Sequence, residues 1–208
     1  AEDFINKTVR YWQGWIKSTY VPDMFQDNVI RSALVLKLHQ YEDTGGIIAS
    51  GTTSLPEHNG SSRTWDYRYC WFRDSYYTLK AFNEMGHFDE LERYFEYIQN
   101  ILMRDAERIQ PLYSITGQKD LQTQNDVYGQ VLVGLLPLFI DRRLSFSKKR
   151  HYKPLVDRLL HWIEYTMDEP DAGLWEFRNV RQVHTYTLLF HWAGCNAAVK
   201  IGTMMKDA

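Results

Sequence analysis

The run Trp65-Asp66-Tyr67-Arg68-Tyr69-Cys70-Trp71-Phe72-Arg73-Asp74-Ser75 packs five aromatic side chains, two arginines and two aspartates into eleven residues. A core has no need of two arginines, and an exposed loop has no need of five rings. The mixture suits a pocket in which flat rings stack on a sugar while charged groups hold its hydroxyls. Arginine presents a planar fork of donors, an ionised aspartate only accepts, and together they clamp vicinal hydroxyls. The same composition also fits a buried Arg–Asp pair that ties a loop down beneath a hydrophobic cluster.

A second stretch, Asp168-Glu169-Pro170-Asp171-Ala172-Gly173-Leu174-Trp175-Glu176-Phe177-Arg178, sets Glu176 between two aromatic residues in a turn opened by glycine. Apolar walls disfavour a charged carboxyl, and a carboxyl that keeps its proton near neutrality is what general acid catalysis requires. A pairing of Glu176 with Arg178 or Arg181 is the alternative. Asp168, Glu169 and Asp171 read as the solvated rim of a turn, with Asp171 also able to cap the loop. A third stretch, Gln122 to Gln130, opens a helix, from whose start Asp126 and Tyr128 can project toward a ligand. Ordinary capping by Asn125 or Asp126 explains the same pattern. The seven histidines have no metal-ligand spacing, and there is no phosphate-cradling glycine loop, serine elbow or dinucleotide fingerprint. No metal or cofactor is expected.

The elements that must position these groups are helical. Apolar spacing predicts helices over Phe4 to Ile16, Val29 to Leu38, Tyr76 to Met85, Asp89 to Leu102, Val127 to Phe139, His151 to Met167 and Leu188 to Val199. Three long connections separate them, about Gly45–Arg73, Gln110–Leu121 and Asp168–His184. Connections of that length in a compact domain are usually functional. Their alternation with short turns suggests helical hairpins in a ring, with the loops gathered at one end. Strand patterning is absent apart from a short stretch at Ile47 to Ser50.

Composition fits a single domain or part of a larger one. The 208 residues are 44% hydrophobic and 15% aromatic, with a net charge of −2. Signs of charge are mixed, which argues against nucleic acid as a partner. No apolar run approaches the ~20 residues of a membrane helix, and mean hydropathy is −0.46. The amino end lacks a signal-peptide pattern. Cys70 and Cys195 lie in hydrophobic stretches without disulfide or metal spacing, so a reducing cytoplasm is expected.

Taken together, the motifs resemble the bacterial and archaeal branch of glycoside hydrolase family 15, the glucoamylase, glucodextranase and trehalase group. The matches are Tyr11-Trp12-Gln13-Gly14-Trp15, Arg31 to Lys37, Thr52-Thr53-Ser54-Leu55-Pro56-Glu57, Trp65 to Asp74, Asp126-Val127-Tyr128-Gly129 and Gly173 to Arg178. They fall in the family's order and span nearly the whole chain.

The resemblance implies an all-α (α/α)6 toroid, here incomplete at about seven helices, with residues 1–208 a partial catalytic domain. It implies an inverting exo-α-glucosidase acting on maltooligosaccharides, dextrins or trehalose. Glu176 would be the general acid, and Arg73 and Asp74 would hold the terminal glucose. Trp71, Tyr67, Trp175 and Tyr128 would line or floor the pocket. The base that activates water lies, in the family, well beyond the segment that matches Glu176. Of the loop carboxylates present, neither Glu57 nor Asp66 has that role in the family. A chain without the base would be a sugar-binding or regulatory toroid, for which kinase-regulating subunits of similar fold are a precedent. An unfinished flank of helix packing would invite self-association.

Two departures stand out. The family usually carries a Gly-Tyr-x-x-Ser-x-Pro-Val-Arg-x-Gly-Asn segment where Asp120 here passes almost straight into Leu121-Gln122, either because the loop is short or because residues are absent from this sequence. Asn196-Ala197 also stand where the family tends to carry an Asp-Arg pair.

Overall fold

The computed structural model describes residues 2–52, 58–60, 65–104, 108–118, 124–143, 149–176 and 180–206. Among these the elements are α1 (Glu2–Ile16), α2 (Gln26–Leu38), β1 (Cys70–Trp71), α3 (Phe72–Met85), α4 (Phe88–Arg104), β2 (Leu112–Tyr113), α5 (Asp126–Leu135), α6 (Pro137–Ile140), α7 (Lys153–Thr166) and α8 (Thr185–Lys206). A 3-10 turn over Lys149–Tyr152 leads into α7. Seven helices reach ten residues or more, as the periodicity predicts, and the fold class is all-α.

The core forms where the apolar faces of α3, α4, α5 and α7 converge. Leu91, Phe95, Ile98 and Leu102 recur at helical spacing on α4 and are sealed from solvent, as are Leu155 and Leu159 on α7. The α3–α4 hairpin closes through Gly86, whose left-handed backbone (φ 81°) lets His87 N–H reach the carbonyl of Phe82 at 2.9 Å.

Helix α5 lies at the centre, with nine of its ten residues buried. Its closest neighbour is α8, and glycine is the reason. A Cβ on Gly129 would sit 1.9 Å from the Phe190 carbonyl oxygen, and one on Gly194 would sit 2.6 Å from the Gly129 Cα. The two backbones touch where neither has a side chain. Ala197 and Ala198 continue the contact as buried small residues. Asn196, beside this seam, is exposed.

Several boundaries differ from the sequence expectation. α3 starts at Phe72, four residues before Tyr76, so Arg73 and Asp74 occupy its first turn rather than a loop. The helix predicted over Val127 to Phe139 is split after Leu135, because Pro137 has no N–H to continue the ladder. The short strand expected at Ile47 to Ser50 reduces to one bridge between Gln40 and Ile47. The two-residue ladder of β1 and β2 was not legible, being too short for alternation to register.

The apolar face of α1 is largely uncovered, with Phe4 74% and Ile5 59% exposed. Trp15 reaches inward, stacking on His87 at 4.0 Å and donating from Nε1 to Glu90 Oε1 at 2.7 Å. On α8, Trp192 (65%) and Val199 (70%) also face outward.

Candidate active site

The first wall of the site is a strand that turns into a helix. β1 pairs antiparallel with β2, with Trp71 opposite Leu112, and Phe72 N–H extends the ladder to the Pro111 carbonyl at 3.0 Å. Trp71 keeps extended backbone (φ −77°, ψ 130°) at the N-cap of α3, and its side chain makes no cap bond. Its indole is therefore free to serve the site. Asp74 lies in the first helical turn, where the macrodipole favours a negative charge.

The second wall is the loop that carries Glu176, and Asp171 holds it. Asp171 is 1% exposed, so its reading as a solvated rim is corrected. Its Oδ2 accepts from Asn125 N–H at 2.8 Å and from the Thr187 hydroxyl at 3.0 Å. Its Oδ1 accepts from Gly173 N–H at 3.0 Å, the side-chain capping of its own turn that the sequence allowed. One buried carboxylate thereby ties the loop to the starts of α5 and α8. Gly173 has φ 67°, and a Cβ there would lie 2.5 Å from His184 Nε2. The turn closes with Glu176 N–H donating to the Gly173 carbonyl at 3.1 Å. Glu176 itself has φ 53°, a left-handed conformation that costs a non-glycine residue energy and often marks functional positions.

The walls meet at Glu176. Its Oε1 accepts from the Trp71 indole N–H at 3.0 Å and from Arg73 Nη2 at 3.3 Å. Among the described residues the cation paired with Glu176 is thus Arg73 and not Arg181, while Arg178 lies outside them. Arg73 Nη1 donates to the Leu174 carbonyl at 3.1 Å, so the guanidinium grips the turn by backbone and side chain together. The same Nη2 lies 3.3 Å from Asp74 Oδ2. That oxygen is buried and accepts no hydrogen bond, which leaves it an unmet acceptor at the site. Burial opposes the Arg73 charge, but the carboxylates of Asp74, Glu176 and Asp126 outweigh it and hold the guanidinium above its ordinary pKa.

These groups line a cavity of about 300 Å³. Trp71, Arg73, Asp74, Trp175, Glu176 and Tyr67 all border it, with Trp65, Ala49 and Leu174 completing the wall. Tyr67 and Trp71 have ring centroids 6.1 Å apart, tilted by 41°. Trp175, which also borders the cavity, is 67% exposed. Asp74 and Glu176 both border the cavity, and both described donors to Glu176 reach its Oε1.

Tyr128 is not brought to the cavity. It is fully buried, stacks on Trp162 at 6.2 Å and shares its hydroxyl with Arg108 Nε at 3.3 Å and the Ile109 carbonyl. Burial raises its phenol above the ordinary value. It packs α5 rather than touching the pocket. A larger polar groove of about 410 Å³, bordered by Asp43, Glu96, Asn100 and Arg104, contains none of the residues singled out by the sequence. Thr53–Glu57, the Asp120–Leu121 junction and Phe177–Asn179 lie outside the described residues.

No helix among the described residues is long and apolar enough to cross a membrane.

The chain is similar to known proteins over nearly its whole length. The chain is 29% identical to a trehalase of Thermoplasma volcanium over 227 residues, covering 98% of this chain and 35% of that one. It is 28% identical to a trehalase of Mycobacterium tuberculosis, covering 97% of this chain and 33% of that one. The chain therefore spans about a third of the length of these relatives. The first alignment is longer than the chain itself, so that relative carries residues with no counterpart here. A solved bacterial glucoamylase complexed with acarbose superposes with a TM-score of 0.67 at 17% identity, covering 99% of this chain and 32% of that one. That likeness fixes the architecture as part of an (α/α)6 toroid. The family described as glycosyl hydrolases family 15 matches residues 23–123 and 120–208, two segments that meet where Asp120 joins Leu121. Over nearly its whole length, then, the chain belongs to glycosyl hydrolases family 15.

Proposed function

We propose that this chain supplies the acid-bearing, glucose-gripping part of the catalytic domain of an inverting exo-α-glucosidase. The observation that carries this reading is that Glu176 and the Arg73–Asp74 pair, 102 or more residues apart in sequence, border one ring-lined cavity. The Arg73 fork and the half-exposed Asp74 carboxylate suit adjacent hydroxyls of a terminal glucose, while Trp71 and Tyr67 offer rings to its apolar face. Glu176 would give its proton to the glycosidic oxygen as the C1–O bond breaks. Water would attack C1 from the opposite face and lose its proton to a second carboxylate.

Asp74 is poorly suited to be that second carboxylate. An inverting pair stands about 6.5–9.5 Å apart to admit water. Asp74 Oδ2 and Glu176 Oε1 each lie 3.3 Å from one Arg73 nitrogen, which keeps them at or below the short end of that range. The base would then come from the two thirds of the relatives' length that this chain does not cover.

Among α-glucosides, trehalose is the first to test, because the most similar relatives described above are named trehalases. The experiment is glucose release by the full-length protein from trehalose, maltotriose and isomaltose, with the anomer followed by NMR. Release of β-glucose from any of them supports the reading and names the substrate. Sugar binding without release would favour the non-catalytic toroid.

A further inference from the structure

Within electrostatic reach of Arg73, but not among the residues that line the cavity, is a carboxyl that the proposed reaction does not use. Asp126 begins α5 and is 1% exposed. Its Oδ2 accepts from Gln130 Nε2 at 2.7 Å, but its Oδ1 is buried and has no hydrogen-bond partner among the described residues. Gln130 Oε1, on that same amide, is likewise buried and unpartnered. Two unmet acceptors on two groups already bonded to each other are what a missing proton leaves. A proton on Asp126 turns one acceptor into a donor, and the acid and amide can then satisfy each other side by side.

The charged and titratable groups that face Asp126 come from three directions. Arg73 attracts its negative form from α3, and Asp171 repels it from the Glu176 loop. Tyr186 of α8 shares the Gln130 Nε2 donor at 3.3 Å and leads through a hydrogen bond to Tyr77, which is 54% exposed. No described ion pair joins Asp126 to Arg73, whose contacts go to Asp74, Glu176 and Leu174.

We propose that Asp126 is a positioning residue held as a neutral acid: uncharged, it leaves Arg73 to Glu176 and Asp74, and on ionising it becomes a third carboxylate competing for that one cation. Burial, opposed by Arg73 and reinforced by Asp171, is consistent with this, pushing Asp126 up to about 7. Loss of the proton would weaken the hold of Arg73 on the Glu176 turn without touching the substrate. The part of this inference that concerns turnover rests on the hydrolase reading above; the protonation of Asp126 does not.

The test has two arms on the full-length protein. Infrared difference spectra across the pH range should show a protonated-carboxyl band that disappears with a midpoint near 7. The band should be absent from Asp126→Asn and retained in Glu176→Gln. Absence of the band in wild type, or its loss in Glu176→Gln alone, overturns the proposal even if the protein hydrolyses nothing. In the second arm the pH profile of kcat/KM is compared on the substrate found above. Asp126→Asn, permanently neutral and close in shape, should move the basic limb upward by at least one pH unit. A limb that stays in place overturns the positioning role, as does an Asp126→Asn protein that fails to fold, since a neutral side chain is what the site is argued to hold.

Discussion

The Trp71 indole N–H meets the Glu176 carboxylate at 3.0 Å across 105 residues of sequence. This single bond joins the strand-to-helix corner of one wall to the strained turn of the other. It works because Trp71 stops at the N-cap of α3, where its backbone is still extended, and because Gly173 and Asp171 bring the turn close enough to be reached.

Trp71→Phe keeps the ring and removes the donor. Glu176 becomes negative as it gives up its proton in the transition state, a hydrogen bond to a charged group is worth about 1.5–3 kcal/mol, and each ~1.4 kcal/mol is tenfold in rate. We expect kcat to fall roughly tenfold to a hundredfold with KM changed little. A raised KM with unchanged kcat would make Trp71 a stacking surface alone.

Asp74→Ala should act on binding. It removes the exposed part of a carboxylate that borders the cavity and takes one of the carboxylates from Arg73. KM for the sugar should rise by about tenfold or more, and thermal stability should change little, because the Asp74 side chain is 42% exposed. Isothermal titration with the substrate reads the effect directly.

The contact of α5 with α8 gives a paired prediction. Gly129→Ala drives a methyl into the Phe190 backbone and should destabilise by about 1–3 kcal/mol or more, since backbone cannot move aside as a flexible side chain can. Gly134→Ala on the same helix meets only side chains, none nearer than 3.6 Å, and should stabilise by about 0.5–1 kcal/mol. Denaturant unfolding of the two variants separates them, and equal effects would contradict the packing described.

Stability should also carry the mark of Asp126. The folded chain keeps a proton there up to about pH 7, while the unfolded chain loses it near 3.8. The native state thus binds the extra proton between those values, and its stability falls as pH rises through that window, then levels off. The full effect is at most about 4 kcal/mol at ~1.4 kcal/mol per pH unit. His87 and His191, buried with lowered pKa, contribute the opposite slope, losing stability as pH falls below 6.5. Asp126→Asn should therefore gain stability over wild type at pH 8 and gain nothing at pH 4. Parallel curves for the two proteins would contradict the burial of an ionisable acid.

Much of the site was legible because its chemistry sits in dense local runs. Trp65 to Asp74 and Gly173 to Glu176 each announce themselves by residue type, and α4 and α7 announce themselves by period. What escaped depends on distance in sequence. Nothing local says that Asp171 is buried, because its partners Asn125 and Thr187 lie 46 and 16 residues away. Only its spacing to Gly173 hinted at a turn. The start of α3 at Phe72 was masked by the aromatic and charged run, which has no clean period, and was fixed by pairing of β1 with Leu112-Tyr113. Tyr128 was assigned to the pocket by motif resemblance, whereas its ring faces Trp162 and the Arg108 side.

The central claim is that Glu176 is the acid of this site, and Glu176→Gln in the full-length protein tests it most directly. The amide keeps the size of the side chain and an oxygen for Trp71 and Arg73, but has no acidic proton to give. Turnover should fall by about 10²–10⁴-fold, the usual worth of general acid catalysis, while sugar binding measured by calorimetry stays within a few fold of wild type. Hydrolysis by Glu176→Gln at the wild-type rate would contradict the account.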